Sequence, residues 1–223
     1  MAKKALIVWG GWAGHEPEKV AAVFAGLLKQ YAFDVEVSNT LDAFNDAAKL
    51  KTLDLIVPNW TMGTIAPEQS KNVCEAVKSG VGIAGAHGGM CDSFRNNTDW
   101  QFMTGGQWVA HPGNDGVNYR VNFTGKHWIT DGLTDYDVCS EQYYMHTDPA
   151  NTVLATTKFP VADGPHVPNG DVLMPVTWTK LLGNGRVFYC ALGHNAKVFE
   201  QPETQRMCAR GFLWAAHAES SAT

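Results

Sequence analysis

Eight histidines are spread through this 223-residue chain, and the company they keep gives several of them chemical interest. An imidazole titrates near pH ~6.5, so around neutrality it takes a proton, gives one, or binds a divalent metal through either nitrogen. His15 follows Gly10-Gly11-Trp12-Ala13-Gly14, His87 stands between Ala84-Gly85-Ala86 and Gly88-Gly89, and His194 sits in Gly193-His194-Asn195. His146 ends Glu141-Gln142-Tyr143-Tyr144-Met145-His146, a segment that also carries a carboxylate. His111 lies in the loop running from Gly105-Gly106-Gln107-Trp108 to Pro112-Gly113. A lone loop histidine is ordinarily structural or exposed; several at the ends of neighbouring strands would make one site. His127, His166 and His217 lack that placement and read as structural, solvent-facing or ordinary loop residues.

The elements that must position them follow from the apolar pattern. Residues 3–9 form a continuous apolar run ending in glycine, the mark of a strand buried on both faces. Residues 16–31 place Val20, Val23, Phe24, Leu27 and Leu28 at helical spacing. Strands are predicted over 33–37, 53–58 and 81–86, with a helix over 67–78 that has Pro at its start and Gly80 beyond its end. Strand and helix alternating at this interval predict right-handed crossovers and a parallel sheet. From about residue 117 the pattern changes to strands over 117–123, 138–144 and 153–157. Two more, 173–179 and 186–191, flank a Gly183-Asn184-Gly185 turn. A helix over 201–216 closes the chain, and the tail from 218 is expected to fray.

The reading is one domain over 1–223, a three-layer α/β sandwich whose mainly parallel sheet carries an antiparallel extension. In such open sheets ligands bind beyond the carboxyl ends of the strands. That is where His15, His87, His146 and His194 fall.

Composition narrows the function classes. Hydrophobic residues make up 45% of the chain, which excludes general disorder. The net charge of −5 has no basic stretch to offset it, which argues against a nucleic-acid partner. The absence of a long apolar run argues against a membrane span, and that of an N-terminal signal argues for a cytoplasmic protein. Five scattered cysteines without a CxxC pair read as reduced, mostly buried thiols. Gly10-Gly11-Trp12-Ala13-Gly14 does not match a dinucleotide or P-loop fingerprint, so no nucleotide is expected. Eight tryptophans give the chain an aromatic character, and Trp12, Trp60, Trp100 and Trp108 lie mostly in predicted loops. There they either meet the apolar face of a sugar ring or cover the edge of the sheet.

At residues 84–90 the sequence resembles the nucleophile elbow of class I glutamine amidotransferases, with His87 where that family has cysteine. Gly193-His194-Asn195-Ala196 is similar to their histidine segment, with Ala196 where the triad carboxylate would lie. Nucleophile and orienting acid are both missing, so glutamine hydrolysis by a triad is not available. The chain as a whole resembles the ThuA-like family, which shares that flavodoxin-like scaffold. The matching pieces are residues 12–16, 87–95 (HGGMCDSFR), 105–113 with His111, and 127–133. They continue through 141–144, 175–178, 185–189 and 192–194. Trp128 departs from the family, which usually has proline there.

The resemblance implies carbohydrate catabolism. Its substrate would be a small-molecule sugar: a disaccharide or glycoside oxidised to a 3-keto sugar by a partner oxidoreductase, then isomerised or otherwise processed. Moving a carbonyl through an enediol needs a base for the α-proton and an electrophile for the developing oxyanion. His87, Glu141, His194 and His15 are the candidate catalytic groups. A divalent ion such as zinc or manganese, held by His87, His146, Glu141 and His194, would supply the electrophile. None of these has the local spacing of a known metal motif. Trp12, Trp60, Arg95, Gln107, His111 and Tyr143 are the candidate sugar contacts. The alternative is a non-catalytic sugar-binding or regulatory module on a degenerate amidotransferase scaffold. Either reading accommodates a homo-oligomer.

Overall fold

The computed structural model describes residues 2–222 and contains one nine-stranded sheet and one two-stranded ribbon. The first half alternates as predicted. β1 (Lys4–Gly11), α1 (Pro17–Gln30), β2 (Asp34–Ser38), a short α2 (Ala47–Leu50), β3 (Leu55–Thr61), α3 (Pro67–Ser79) and β4 (Gly82–Ala86) follow one another. Ala5 to Val8 and Leu55 to Val57 are fully buried, as runs sandwiched between helical layers must be. α1 and α3 both begin with proline at the first helical position, where its missing N–H leaves no bond unmade.

After β4 come α4 (Gly88–Cys91), α5 (Thr98–Thr104), β5 (Gly106–Ala110), β6 (Val117–Phe123), β7 (Tyr136–Ser140), β8 (Tyr144–Thr147), β9 (Thr152–Phe159), β10 (Val172–Leu182), β11 (Gly185–Cys190) and α6 (Pro202–Ala215). The large sheet runs β2-β1-β3-β4-β11-β10-β9-β6-β7. Its first five strands are parallel and the rest antiparallel. α1 and α6 pack on one face of the parallel strands, α3 and α5 on the other.

The extension curls back toward the parallel half. Tyr136 on β7 hydrogen-bonds Thr204 on α6 through its hydroxyl at 2.9 Å, which ties that distant edge to the helical layer. The same curl delivers the residues after β7 to the carboxyl edge of the parallel strands.

Three expectations need correction. The aromatic run 138–144 is two strands, not one: β7 and β8 are separated by Glu141-Gln142-Tyr143, where Gln142 turns its side-chain amide to Thr157 Oγ1 and Lys158 O. Residues 105–110, read as loop, form β5, because β8 offers them an antiparallel partner. The tail, expected to fray, is described as a 3-10 turn at Glu219–Ala222 with a Glu219–Arg186 ion pair. Thr223 lies outside the described residues.

Candidate active site

Three loops at the carboxyl ends of β1, β4 and β11 bring His15, His87 and His194 together. β1 runs into a 3-10 turn, Ala13–His15, that folds His15 back over the sheet. There its Nδ1 lies 2.8 Å from the hydroxyl of Thr61, the last residue of β3. His87 sits on the turn between β4 and α4 with φ 50° and ψ −142°, a conformation that costs an L-residue on the order of 1–3 kcal/mol. The surroundings over-determine it: the His87 N–H donates to Cys190 O at 2.7 Å, and the Tyr189 hydroxyl donates to His87 O at 3.1 Å. The two glycines that follow are required by space. A Cβ on Gly88 would lie 2.6 Å from the His15 ring, and one on Gly89 would lie 2.4 Å from Asn59 Oδ1.

Glu141 closes the constellation from the antiparallel side, its main-chain carbonyl held by the Tyr119 hydroxyl at 2.9 Å. Its Oε2 is 3.0 Å from His87 Nε2, 3.3 Å from His194 Nδ1 and 3.7 Å from His15 Nε2. One ligand atom from each of these four residues lies within 4.8 Å of all the others. Glu141, His87 and His15 are buried, and His194 is nearly so.

The electrostatics are unusual. His87 Nδ1 lies 2.7 Å from the carbonyl of Ala191, so that nitrogen must carry a hydrogen. Burial pushes the imidazole down to about 4, although the Glu141 contact works the other way. The neutral ring therefore turns a lone pair toward a carboxylate oxygen. Burial alone would raise the Glu141 carboxyl, but the imidazoles of His15, His194 and His87 packed around it hold it well below the usual range. His194 is raised by its contact with that carboxylate. Two further nitrogens, His194 Nδ1 and His111 Nδ1, are buried without a hydrogen-bond partner, and both face Glu141. A carboxylate ringed by imidazole nitrogens is a donor set that zinc or manganese takes, and a cation among them would relieve the clash between the His87 lone pair and Glu141.

Aromatic groups wall the cluster. Tyr143 stacks on His87 at 3.8 Å between centroids and is near-parallel to His111. Burial pushes its phenol well above the ordinary value, so the hydroxyl keeps its proton. Trp12, exposed, stands edge-on to His15. His111 Nδ1 is 3.7 Å from Glu141 Oε1 and stands beside Trp108. Arg95 is held bidentately by buried Asp92 and lies 4.5 Å over the Trp108 ring.

Three candidates fall elsewhere. His146 is exposed: β8 starts afresh after the break at residues 141–143, and its alternation turns Met145 inward and His146 out. It therefore does not belong with the cluster's ligands. Gln107 pairs with His146 across the ribbon, and the two line a separate depression of about 450 Å³ beside Phe102. Trp60 alternates with buried Asn59 and Thr61 on β3, so its ring turns the other way and packs over Gly10 and Gly63. His166, expected to be an ordinary loop residue, is buried between Tyr144 and Phe159. His127 caps the turn at Ile129, a structural role. Cys91 is fully buried in α4 and burial raises its thiol far above the ordinary value, so it offers no nucleophile.

Sequence reasoning missed the groups that hold the site's side chains: Thr61 as the partner of His15, the Ala191 carbonyl as the partner of His87, and Asp92 beneath Arg95. Thr61 had a signal, since it ends an apolar strand. The Ala191 carbonyl had none, because a backbone oxygen carries no residue identity.

A five-stranded parallel block with its site at the carboxyl edge defines a flavodoxin-like α/β protein. The chain belongs to the ThuA family: the family model, described as trehalose utilisation, matches residues 4–215. That membership ties it to carbohydrate metabolism. Among solved structures, a ThuA-like protein from Parabacteroides merdae ATCC 43184 superimposes with a TM-score of 0.76 at 19% identity, covering 97% of this chain and 90% of its own. Another from Bacteroides uniformis ATCC 8492 gives 0.75 at 16% identity, covering 96% and 91%. A β-galactosidase from Rahnella sp. R3 matches with a TM-score of 0.63 at 16% identity, over 100% of this chain but 31% of the enzyme. At these identities the likeness is one of fold. No match was found among curated proteins. Among the described residues no helix is long and apolar enough to cross a membrane.

Proposed function

We propose that the chain is an enzyme that processes a keto sugar or keto-glycoside at the cluster of His15, His87, Glu141 and His194. The observation that carries the reading is the convergence of three imidazoles on one carboxylate oxygen at the carboxyl edge of the sheet. Family membership in trehalose utilisation supports a carbohydrate as the substrate.

The four residues would hold a divalent cation, which when bound would supply a Lewis acid for a substrate carbonyl. The protein's own groups do the rest. Nδ1–H of His87 is committed to Ala191 O, which leaves Nε2 bare to ligate or to accept a proton. His111, at the open side of the cluster, is placed to move a proton between neighbouring carbons. The protonated Tyr143 hydroxyl and the Arg95 guanidinium would hold sugar hydroxyls, and Trp12 would cover an apolar ring face.

The test is metal analysis of protein purified without added metal, followed by mass analysis of a 3-keto glycoside after incubation. Stoichiometric zinc or manganese and a changed keto-glycoside support the reading. Sugar binding without turnover and without metal would instead favour a non-catalytic sugar-binding module.

A further inference from the structure

The three imidazoles of the cluster share a pattern. Each turns one nitrogen to Glu141 Oε2, and each has an oxygen facing the other nitrogen. For His87 that oxygen is the Ala191 carbonyl at 2.7 Å, and for His15 it is the Thr61 hydroxyl at 2.8 Å. For His194 it is Asp115 Oδ2, 3.8 Å from Nε2. The first two partners belong to the buried carboxyl edge of the sheet. Asp115 is half exposed on the loop between β5 and β6.

We propose that Asp115 is the positioning residue of His194: it accepts a hydrogen bond from Nε2–H and so holds the ring in the tautomer that presents Nδ1 to the cluster. An imidazole that binds a metal or takes a proton through one nitrogen is ordinarily held at the other by a carboxylate, carbonyl or water. Ala196 cannot serve. It has no acidic side chain, and its N–H donates instead to Glu16 Oε2 at 3.3 Å. Asp115 supplies from another strand connection the carboxylate that the segment around His194 lacks. The separation of 3.8 Å closes by a small movement of an exposed side chain. The loop is shaped for this placement. Gly113, Asn114 and Gly116 all adopt positive φ, and Asn114 N–H donates to His111 O at 2.9 Å. One short loop thus aims both His111 and Asp115 at the same site.

This inference rests on the reading of the cluster as the working site, and its test separates the two. In metal-free, ¹⁵N-labelled protein, two-bond ¹H–¹⁵N spectra report the tautomer of His194. Wild type is expected to carry the hydrogen on Nε2, Asp115→Ala to shift toward a mixture, and Asp115→Glu to recover the wild-type pattern. Asp137→Asn serves as the control, because Asp137 lines the same groove but pairs with Arg120. Zn²⁺ titration against a chelating dye is the second readout: Asp115→Ala should weaken affinity roughly 10–100-fold and Asp137→Asn should leave it unchanged. A His194 tautomer identical in wild type and Asp115→Ala overturns the proposal, whether or not Zn²⁺ binds. A tautomer that shifts in a protein that binds no Zn²⁺ upholds Asp115 and removes the metal.

Discussion

The parallel strands and the antiparallel extension contribute unlike things to the same site. The parallel half supplies His15, His87 and His194, and the outward nitrogens of His15 and His87 are locked by the Thr61 hydroxyl and the Ala191 carbonyl of that same half. The extension supplies Glu141, Tyr143, His111 and Asp115: the charge, the stacking wall and the groups nearest solvent. A buried parallel edge fixes geometry well but offers few places for an ionised carboxylate. A curled antiparallel sheet brings such a group in from the side, among partners that hold it ionised.

The largest expected effect removes the contribution of the extension. Glu141→Gln keeps shape but leaves three imidazoles facing a neutral amide, whose NH₂ can only donate. Turnover of a keto-glycoside should fall at least ~100-fold with loss of bound metal, as for a group acting directly on the reacting atoms. Retained turnover would show that the extension merely covers a site made by the parallel half.

Next is His87 itself. His87→Ala should abolish sugar processing with the fold intact, and His87→Cys should gain no glutaminase activity, since Glu141, 3.3 Å from His194 Nδ1, stands at the nitrogen that a thiol would need as its base. His87→Gly sharpens the point, because glycine accepts φ 50° without strain. It should be inactive yet melt above His87→Ala, by about 1 kcal/mol in stability. Activity assays beside thermal melts of the three variants decide this.

Gly88→Ala probes the packing inside the parallel half. The added methyl would meet the His15 ring at 2.6 Å and push it off Thr61. A stability loss of about 1–3 kcal/mol and weakened metal binding are expected, measured by denaturant melts and titration. Unchanged values would mean that His15 has room to spare.

A smaller effect belongs to the extension. Lys180 is buried and pairs with Asp148, whose carboxyl is lowered by that hydrogen bond and by the Ala150 N–H. With the folded value depressed, the stabilisation is complete above the unfolded carboxylate pKa of ~3.9. It is lost as pH falls through the lower, folded value. Asp148→Asn should therefore cost on the order of 2 kcal/mol at pH 7, and the gap to wild type should narrow in acid below pH ~4. A gap independent of pH would show that packing, not charge, joins β8 to β10.

The smallest is chemical. Under native conditions a thiol reagent should label Cys139, the exposed cysteine, and leave buried Cys91 untouched with activity retained. Rapid inactivation traced to Cys91 would return a nucleophile to the elbow.

How much of this was legible differs between the halves in the same way. Apolar runs ending in glycine and helices opened by proline announced the parallel strands, and with them the placement of His15, His87 and His194. Those signals are local, arising from burial on both faces and from helix geometry. The extension is written less plainly. Nothing within residues 138–147 says that the strand breaks at Glu141-Gln142-Tyr143, because Gln142 finds its partners at Thr157 and Lys158, on a different strand. That break fixes the parity of β8, turning His146 outward and leaving Glu141 free to face the imidazoles. Trp60 was misplaced by the same kind of parity, since a residue type does not say which face of a strand it occupies.

By itself, then, the sequence determined the parallel scaffold, the elbow at His87 and the residue types able to do acid–base or metal chemistry, because propensity, periodicity and turn chemistry act over a few residues. Tertiary structure alone decided which carboxylate meets which imidazole, that Thr61, Ala191 and Asp115 face the outer nitrogens, and that His146 and Gln107 stand apart. Those choices depend on how a nine-stranded sheet curls until β7 reaches α6, a closure made by contacts such as Tyr136 with Thr204, 68 residues apart in the chain.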